Sequence, residues 1–145
     1  MLAQFVPPMV ARGEGRILNV ASIAAFQPVP SLATYTATKA YVLSLTESLS
    51  EELKGIGVSI TALCPGITAT NMLSTAQQAS SQLTKLPGFM VRDVHAVAKE
   101  GYEACLRGEV IRVPGVLNLA TVLASHATPK WQLRRVCGAL ARGLK

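Results

Sequence analysis

Tyr35 and Lys39 stand four residues apart in Tyr35-Thr36-Ala37-Thr38-Lys39, and Ser22 lies thirteen positions ahead of the tyrosine. On a helix, positions i and i+4 share one face, so this spacing can hold a lysine ammonium near a phenol oxygen. A free phenol titrates near ~10 and is a poor proton donor or acceptor at neutral pH. A fixed positive charge beside it stabilises the phenolate and makes proton transfer accessible. In such a site Tyr35 would move the proton, Lys39 would supply the charge, and Ser22 would give a second hydrogen bond to the same substrate oxygen. The same pair also occurs on helices where the ring is merely packed and the amine solvated, so its context decides.

These side chains need elements to carry them. Residues 1–12 read as helix, and Gly15-Arg16-Ile17-Leu18-Asn19-Val20-Ala21-Ser22 as a short buried strand over 16–21 running into the serine. Ala24 to Leu32, with Pro28 and Pro30, reads as loop, because proline interrupts either regular form. A long helix is predicted from about Thr34 to Lys54. Its apolar positions are Val42, Leu45, Leu49 and Leu53, and Gly55 and Gly57 stop it. Val58 to Leu63 is the next strand, ending in the turn Pro65-Gly66. Residues 68–88 are small and polar and read as a loop over the site with one short helix. A helix over 93–107, a short strand over 110–113 and two helices over 115–126 and 129–143 complete the order.

Taken in this order and spacing, the serine strand, the Ala33–Ala40 helix start and Val58–Thr70 resemble the second half of a short-chain dehydrogenase/reductase. The resemblance is close from about Arg12 to Met72 and looser to about Gly115. It implies an α/β fold, a truncated Rossmann-type parallel sheet of about three strands flanked by helices with a C-terminal helical pair. A partial Rossmann-type domain would occupy 1–113 and carry the catalytic residues, with a basic helical extension over 114–145.

The activity implied is that of an NAD(P)-dependent oxidoreductase interconverting a ketone and a secondary alcohol, without a metal. Ser22, Tyr35 and Lys39 would be catalytic, with Tyr35 as general acid and base and Tyr35 and Lys39 also touching the cofactor. Pro65, Gly66, Ile67, Thr68 and Thr70 would line the nicotinamide carboxamide, Thr68 through its backbone and Thr70 through its hydroxyl; the family more often has valine where Thr68 stands. The cofactor would be NADP or NAD, with NADP favoured. The resemblance also implies a homo- or hetero-dimer formed through the 34–54 helix. The family's glycine-rich phosphate turn and its catalytic asparagine would lie upstream of Met1, and Asn19 is not that asparagine because it sits within the strand. Two readings therefore follow: an enzyme in its complete form, or a catalytically inactive remnant serving as a dimerisation or interaction module. For the isolated chain the expectation is no cofactor binding tighter than millimolar.

Composition bounds the alternatives. Of 145 residues, half are hydrophobic and 15% charged, and the mean hydropathy is +0.35, as expected where strands are covered on both faces. No stretch approaches the ~18 apolar residues of a membrane span, and Pro7-Pro8 interrupts any leader-like run, so the expected location is cytoplasmic. Cys64, Cys105 and Cys137 lack metal-binding or disulfide spacing and read as small buried residues. Phe26, Leu32, Met72 and Leu73 would give the site an apolar lining, suited to a lipid- or steroid-like ketone.

Charge is uneven. Residues 1–70 balance four basic residues against four acidic ones, whereas 71–145 carry ten against four, so the whole net charge of +6 lies there. After His126 come Lys130, Arg134, Arg135, Arg142 and Lys145 without an acid, with Trp131 near the start and Leu133, Val136 and Leu140 at helical spacing. This helix reads either as docked with a solvated basic face or as a peripheral contact to an anionic membrane. Nucleic acid is not an expected partner, since aromatics are 5% of the chain and no binding motif is present.

Overall fold

The computed structural model describes residues 2–68 and 91–143. Thr70, Met72, Leu73 and most of the polar 68–88 segment lie outside the described residues.

Strand β2 (Val58–Leu63) lies at the centre of a parallel three-stranded sheet, between β1 (Gly15–Val20) and β3 (Ile111–Arg112). Gly15 stands opposite Val58 and Val20 opposite Leu63, while Ala62 stands opposite Ile111. The amides of Ala62 and Cys64 donate to the carbonyls of Val110 and Arg112, so the third rung is longer than its two residues suggest. Sheet order and direction agree with the expected Rossmann-type remnant. β2 is buried along nearly its whole length, as a parallel strand covered on both faces should be.

β1 departs from expectation. It was expected to be buried, yet its residues alternate between half-buried and exposed, with Leu18 and Val20 36% and 54% exposed. The physical reason is its place at the sheet edge among the described strands. On one face Ile17 packs with Leu53, Val58 and Ile60; on the other, helix α3 (Val94–Leu106) packs over both β2, with Gly101 against Leu63, and β1, whose Leu18 and Val20 it leaves partly open.

Helix α1 (Leu2–Arg12) contains both Pro7 and Pro8. Its Leu2, Val6, Met9 and Val10 pack on the core cluster of Leu53, Val58 and Ile60, which points both prolines to solvent. There the carbonyls that lose their amide partners can bond water instead.

Helix α2 (Ala33–Glu52) spans the predicted range, and Leu53, just past its end, is buried at its predicted position, but the residues buried within the helix are ones the periodicity did not pick out. Leu43 and Thr46 are buried, Val42 packs on the Leu43 cluster, Leu49 packs on the cluster of Leu53, Val58 and Ile60, and Leu45 is half-buried. Thr46 was passed over because its hydroxyl makes it look like a surface residue. That hydroxyl donates to Val42 O at 2.7 Å and accepts from Asn19 Nδ2 at 2.9 Å, which satisfies it inside the core. Asn19 is thereby a link between β1 and α2.

The expected loop over 24–32 contains a 3-10 turn at Ile23–Phe26, capped by the Ser22 side chain; Pro28 and Pro30 follow the turn and so do not oppose it. Gly55 and Gly57 both adopt φ of +81° after α2, as the stop signal requires. Asp93 caps α3 by accepting from Ala96 N at 2.8 Å. The last two helices are α4 (Val116–Ala127) and α5 (Lys130–Gly143), joined through Thr128 and Pro129.

Candidate active site

The carboxyl ends of β1 and β2 lie side by side, and their next residues are tied together. Ala21 N donates to Leu63 O at 2.7 Å and Ile23 N to Pro65 O at 3.0 Å. Ser22 sits between them, extended and 8% exposed. Its Oγ accepts from Ala24 N at 3.2 Å and donates to Pro65 O at 3.4 Å. The second bond is near the outer limit for a hydroxyl donor, so the serine proton is loosely held.

Tyr35 and Lys39 rise from the first turns of α2, both half-buried. They share a face, as their spacing predicts: Lys39 Nζ lies 5.8 Å from the centre of the Tyr35 ring. The ammonium also donates to Val20 O at 2.9 Å, which pins the start of α2 to the last residue of β1, two positions before Ser22. Before the helix, Ser31 takes a positive φ of 72°, and Ser31 to Tyr35 line a shallow concavity. Helix α2 begins without a side-chain cap at Leu32.

The turn after β2 forms the other wall. Gly66 is required by its neighbour, since a Cβ there would come within 2.5 Å of the Asn118 side chain on α4. Asn118 Nδ2 in turn donates to Pro114 O at 2.7 Å. Thr68 Oγ1 donates to Gly66 O at 3.2 Å, and Thr68 pairs with Arg92 in an isolated parallel bridge in which Arg92 N donates to Ile67 O. Arg92 is held by Glu100 at 2.7 Å, and Glu100 also binds Arg112 at 3.2 Å. On the opposite rim Phe26 meets His126 of α4 edge-on, with ring centres 5.3 Å apart.

Beneath the site Cys64 is fully buried among Ala21, Leu43 and Ala62. Burial pushes its thiol up from the usual 9.0 to about 12, an effect that Glu47 adds to and that the Ser22 backbone hydrogen bond and Lys39 oppose. It is a core residue, as its sequence context suggested.

Ser22, Tyr35, Lys39, Pro65, Gly66, Ile67 and Thr68 are thus placed on two adjoining strand ends and the helix between them, while Thr70 lies outside the described residues. Three neighbours were not anticipated: the Val20 carbonyl, Asn118 and the Arg92 backbone. A carbonyl acceptor has no residue signature, and neither Asn118 nor Arg92 belongs to a local motif that would pair it with the Gly66 turn.

A parallel sheet carrying such side chains at its strand ends defines a ligand crevice of the nucleotide-binding α/β class. Residues 1–81 match the family model of short chain dehydrogenases, and the chain belongs to that family. It is 36% identical over 78 residues to the uncharacterized oxidoreductase YvrD of Bacillus subtilis, covering 54% of this chain and 30% of that protein. Among solved structures it resembles a short-chain dehydrogenase from Sphingobium yanoikuyae in complex with NADPH, with 30% identity, a TM-score of 0.69 and 79% and 43% of the two chains covered. It also resembles a short chain dehydrogenase/reductase from Burkholderia phymatum in complex with NAD, with 26% identity, a TM-score of 0.67 and coverage of 83% and 50%. The chain therefore spans about a third to a half of the length of these relatives.

Proposed function

We propose that this chain acts in an NAD(P)-dependent oxidoreductase that interconverts a ketone and a secondary alcohol, with Ser22, Tyr35 and Lys39 around the reacting oxygen. The observation that carries this reading is the Tyr35–Lys39 pair, held on one helix face over the end of β1 by the Lys39 bond to Val20 O. Family membership supports it.

The donor set fits a nicotinamide cofactor: hydroxyl, ammonium and backbone groups line the carboxyl ends of two parallel strands. Lys39 and Tyr35 would hold its ribose, and Pro65 to Thr68, with Thr70, its carboxamide. When bound, that group supplies or accepts the hydride. In the reducing direction Tyr35 gives its hydroxyl proton to the oxygen, and in the oxidising direction it takes the proton back. Lys39 brings a positive charge to 5.8 Å from the centre of the Tyr35 ring. Ser22 already has its oxygen engaged by Ala24 N, so its O–H is the free end. Releasing the long bond to Pro65 lets it donate to the substrate oxygen. Similar structures hold NADPH or NAD, and the cofactor proposed here is NADP. Leu32, 51% exposed beside Tyr35, and the half-buried Phe26 favour an apolar ketone.

The test is cofactor oxidation with a panel of apolar ketones by this chain joined to the upstream cofactor-binding segment of a full-length relative. Tyr35→Phe should lower kcat/KM by at least ~100-fold, the lower bound for losing a general acid. Equal turnover by the variant, or the absence of turnover with any ketone and either cofactor, overturns the reading.

A dimerisation role is a second reading. Tyr41, 67% exposed, lies across α2 from the buried Leu43 and Thr46 and offers an aromatic anchor for pairing through the 34–54 helix. Sedimentation equilibrium should show a dimer that Tyr41→Asp dissociates; a monomeric parent chain excludes it. Cytoplasmic residence belongs to the same reading, in keeping with Cys64 and Cys105 as buried free thiols.

A further inference from the structure

Helix α4 contains no charged residue in Val-Leu-Asn-Leu-Ala-Thr-Val-Leu-Ala-Ser-His-Ala. Its inner side is spent on the fold: Val122 and Ser125 are buried, Asn118 packs on Gly66 and His126 meets Phe26. Its outer side is nevertheless apolar and open, with Val116 84%, Leu117 62%, Leu119 45% and Leu123 59% exposed. With the inner side spent on the fold, a contiguous exposed apolar patch on the outer side marks an interaction surface.

The next helix has the opposite character. In α5, Lys130, Arg134, Arg135 and Arg142 are exposed, and the chain has no acidic residue after Glu109. Arg135 lies 5.4 Å over the exposed Trp131 ring. Val136 is 55% exposed, while Leu133 and Cys137 are half-buried.

We propose that α4 and α5 together dock on the surface of an anionic lipid bilayer. The apolar side of α4 enters the headgroup–acyl boundary, and the basic residues of α5 meet the lipid phosphates. Charge complementarity selects this occupant. A second copy would bring one acid-free basic helix toward another, and nucleic acid offers phosphate but no apolar phase for Val116 and Leu123. The twelve residues of α4 reach roughly 18 Å at 1.5 Å per residue, short of the ~30 Å hydrocarbon core. Among the described residues no helix is long and apolar enough to cross a membrane, so the pair lies on the surface. Because Asn118 on its inner side touches Gly66, the bilayer would stand about one helix diameter, ~10–12 Å, from the turn after β2.

The test uses the full chain and vesicles, and does not depend on the oxidoreductase reading. Co-sedimentation with phosphatidylcholine vesicles containing about 30% phosphatidylglycerol should be at least tenfold stronger than with pure phosphatidylcholine. It should weaken as salt rises from about 0.05 to 0.5 M. The emission of Trp131, the single tryptophan, should shift to the blue on binding. Arg134→Ala with Arg135→Ala should cost about 30-fold on anionic vesicles. Leu119→Ser with Leu123→Ser should cost at least about tenfold on anionic vesicles. All four positions are exposed, so circular dichroism should be unchanged. Equal binding to both vesicle types, or unchanged binding by either double variant, overturns the proposal. So does a dimer that Leu123→Ser dissociates in a chain that binds no vesicles.

Discussion

Lys39 makes two contacts that ask different things of it. Its bond to Val20 O ties α2 to β1, and its ammonium lies 5.8 Å from the centre of the Tyr35 ring. Val20 is 54% exposed, so its carbonyl can turn to water when the lysine is removed. Lys39→Met should therefore cost no more than about 1 kcal/mol in urea unfolding, while lowering kcat/KM for ketone reduction by at least ~100-fold. A large loss of stability with unchanged activity would make Lys39 a structural tether. Cys64 gives a second residue-scale prediction. Its thiol is raised from 9.0 to about 12 in the folded chain, so above pH 9 the unfolded chain releases a proton that the folded chain keeps. Stability owed to this group is complete below about pH 9 and falls as pH rises toward 12. Urea titrations across that window should show the decline, and Cys64→Ala should flatten it. At this scale the i, i+4 pair was legible because helix geometry alone places it. The acceptor of Lys39 was not, because any backbone carbonyl near a strand end can serve.

Among the elements, the turn between α2 and β2 separates two costs that sequence does not distinguish. Gly55 and Gly57 share a φ of +81°, yet a Cβ at Gly55 meets nothing within 4 Å, while one at Gly57 would sit 1.9 Å from Gly13 O. Gly55→Ala should cost about 1–2 kcal/mol, the price of the left-handed backbone. Gly57→Ala should cost clearly more, because the Gly13 backbone it crowds lies two residues before the Gly15 N to Gly57 O bond that starts the β1–β2 register. Equal midpoints in thermal melts would contradict this packing. The helices and parallel strands were legible from glycine stops, apolar runs and periodicity. The alternation of β1 was not, since Ile17, Leu18 and Val20 are all apolar and only the packing on the two faces of the sheet decides which is left open. Thr46 was hidden for the converse reason, a polar residue buried through its bonds to Val42 and Asn19.

For the whole molecule, the sheet brings the ends of β1 and β2 together and sets the start of α2 over them. The chemistry assigned to this crevice requires that these segments act as one site. The family and its sheet could be read from three short segments, whereas the packing of α4 against the Gly66 turn could not, because nothing local to Asn118 points to it. The site's unity can be measured in the full chain by following backbone amide resonances during titration with NADPH at millimolar concentrations. The amides of Ser22, Tyr35, Lys39, Gly66, Ile67 and Thr68 should move along one common curve, and Lys39→Met should abolish or greatly weaken the response. Shifts confined to other residues, such as the basic helix 130–143, or an unchanged response in Lys39→Met, would contradict the account.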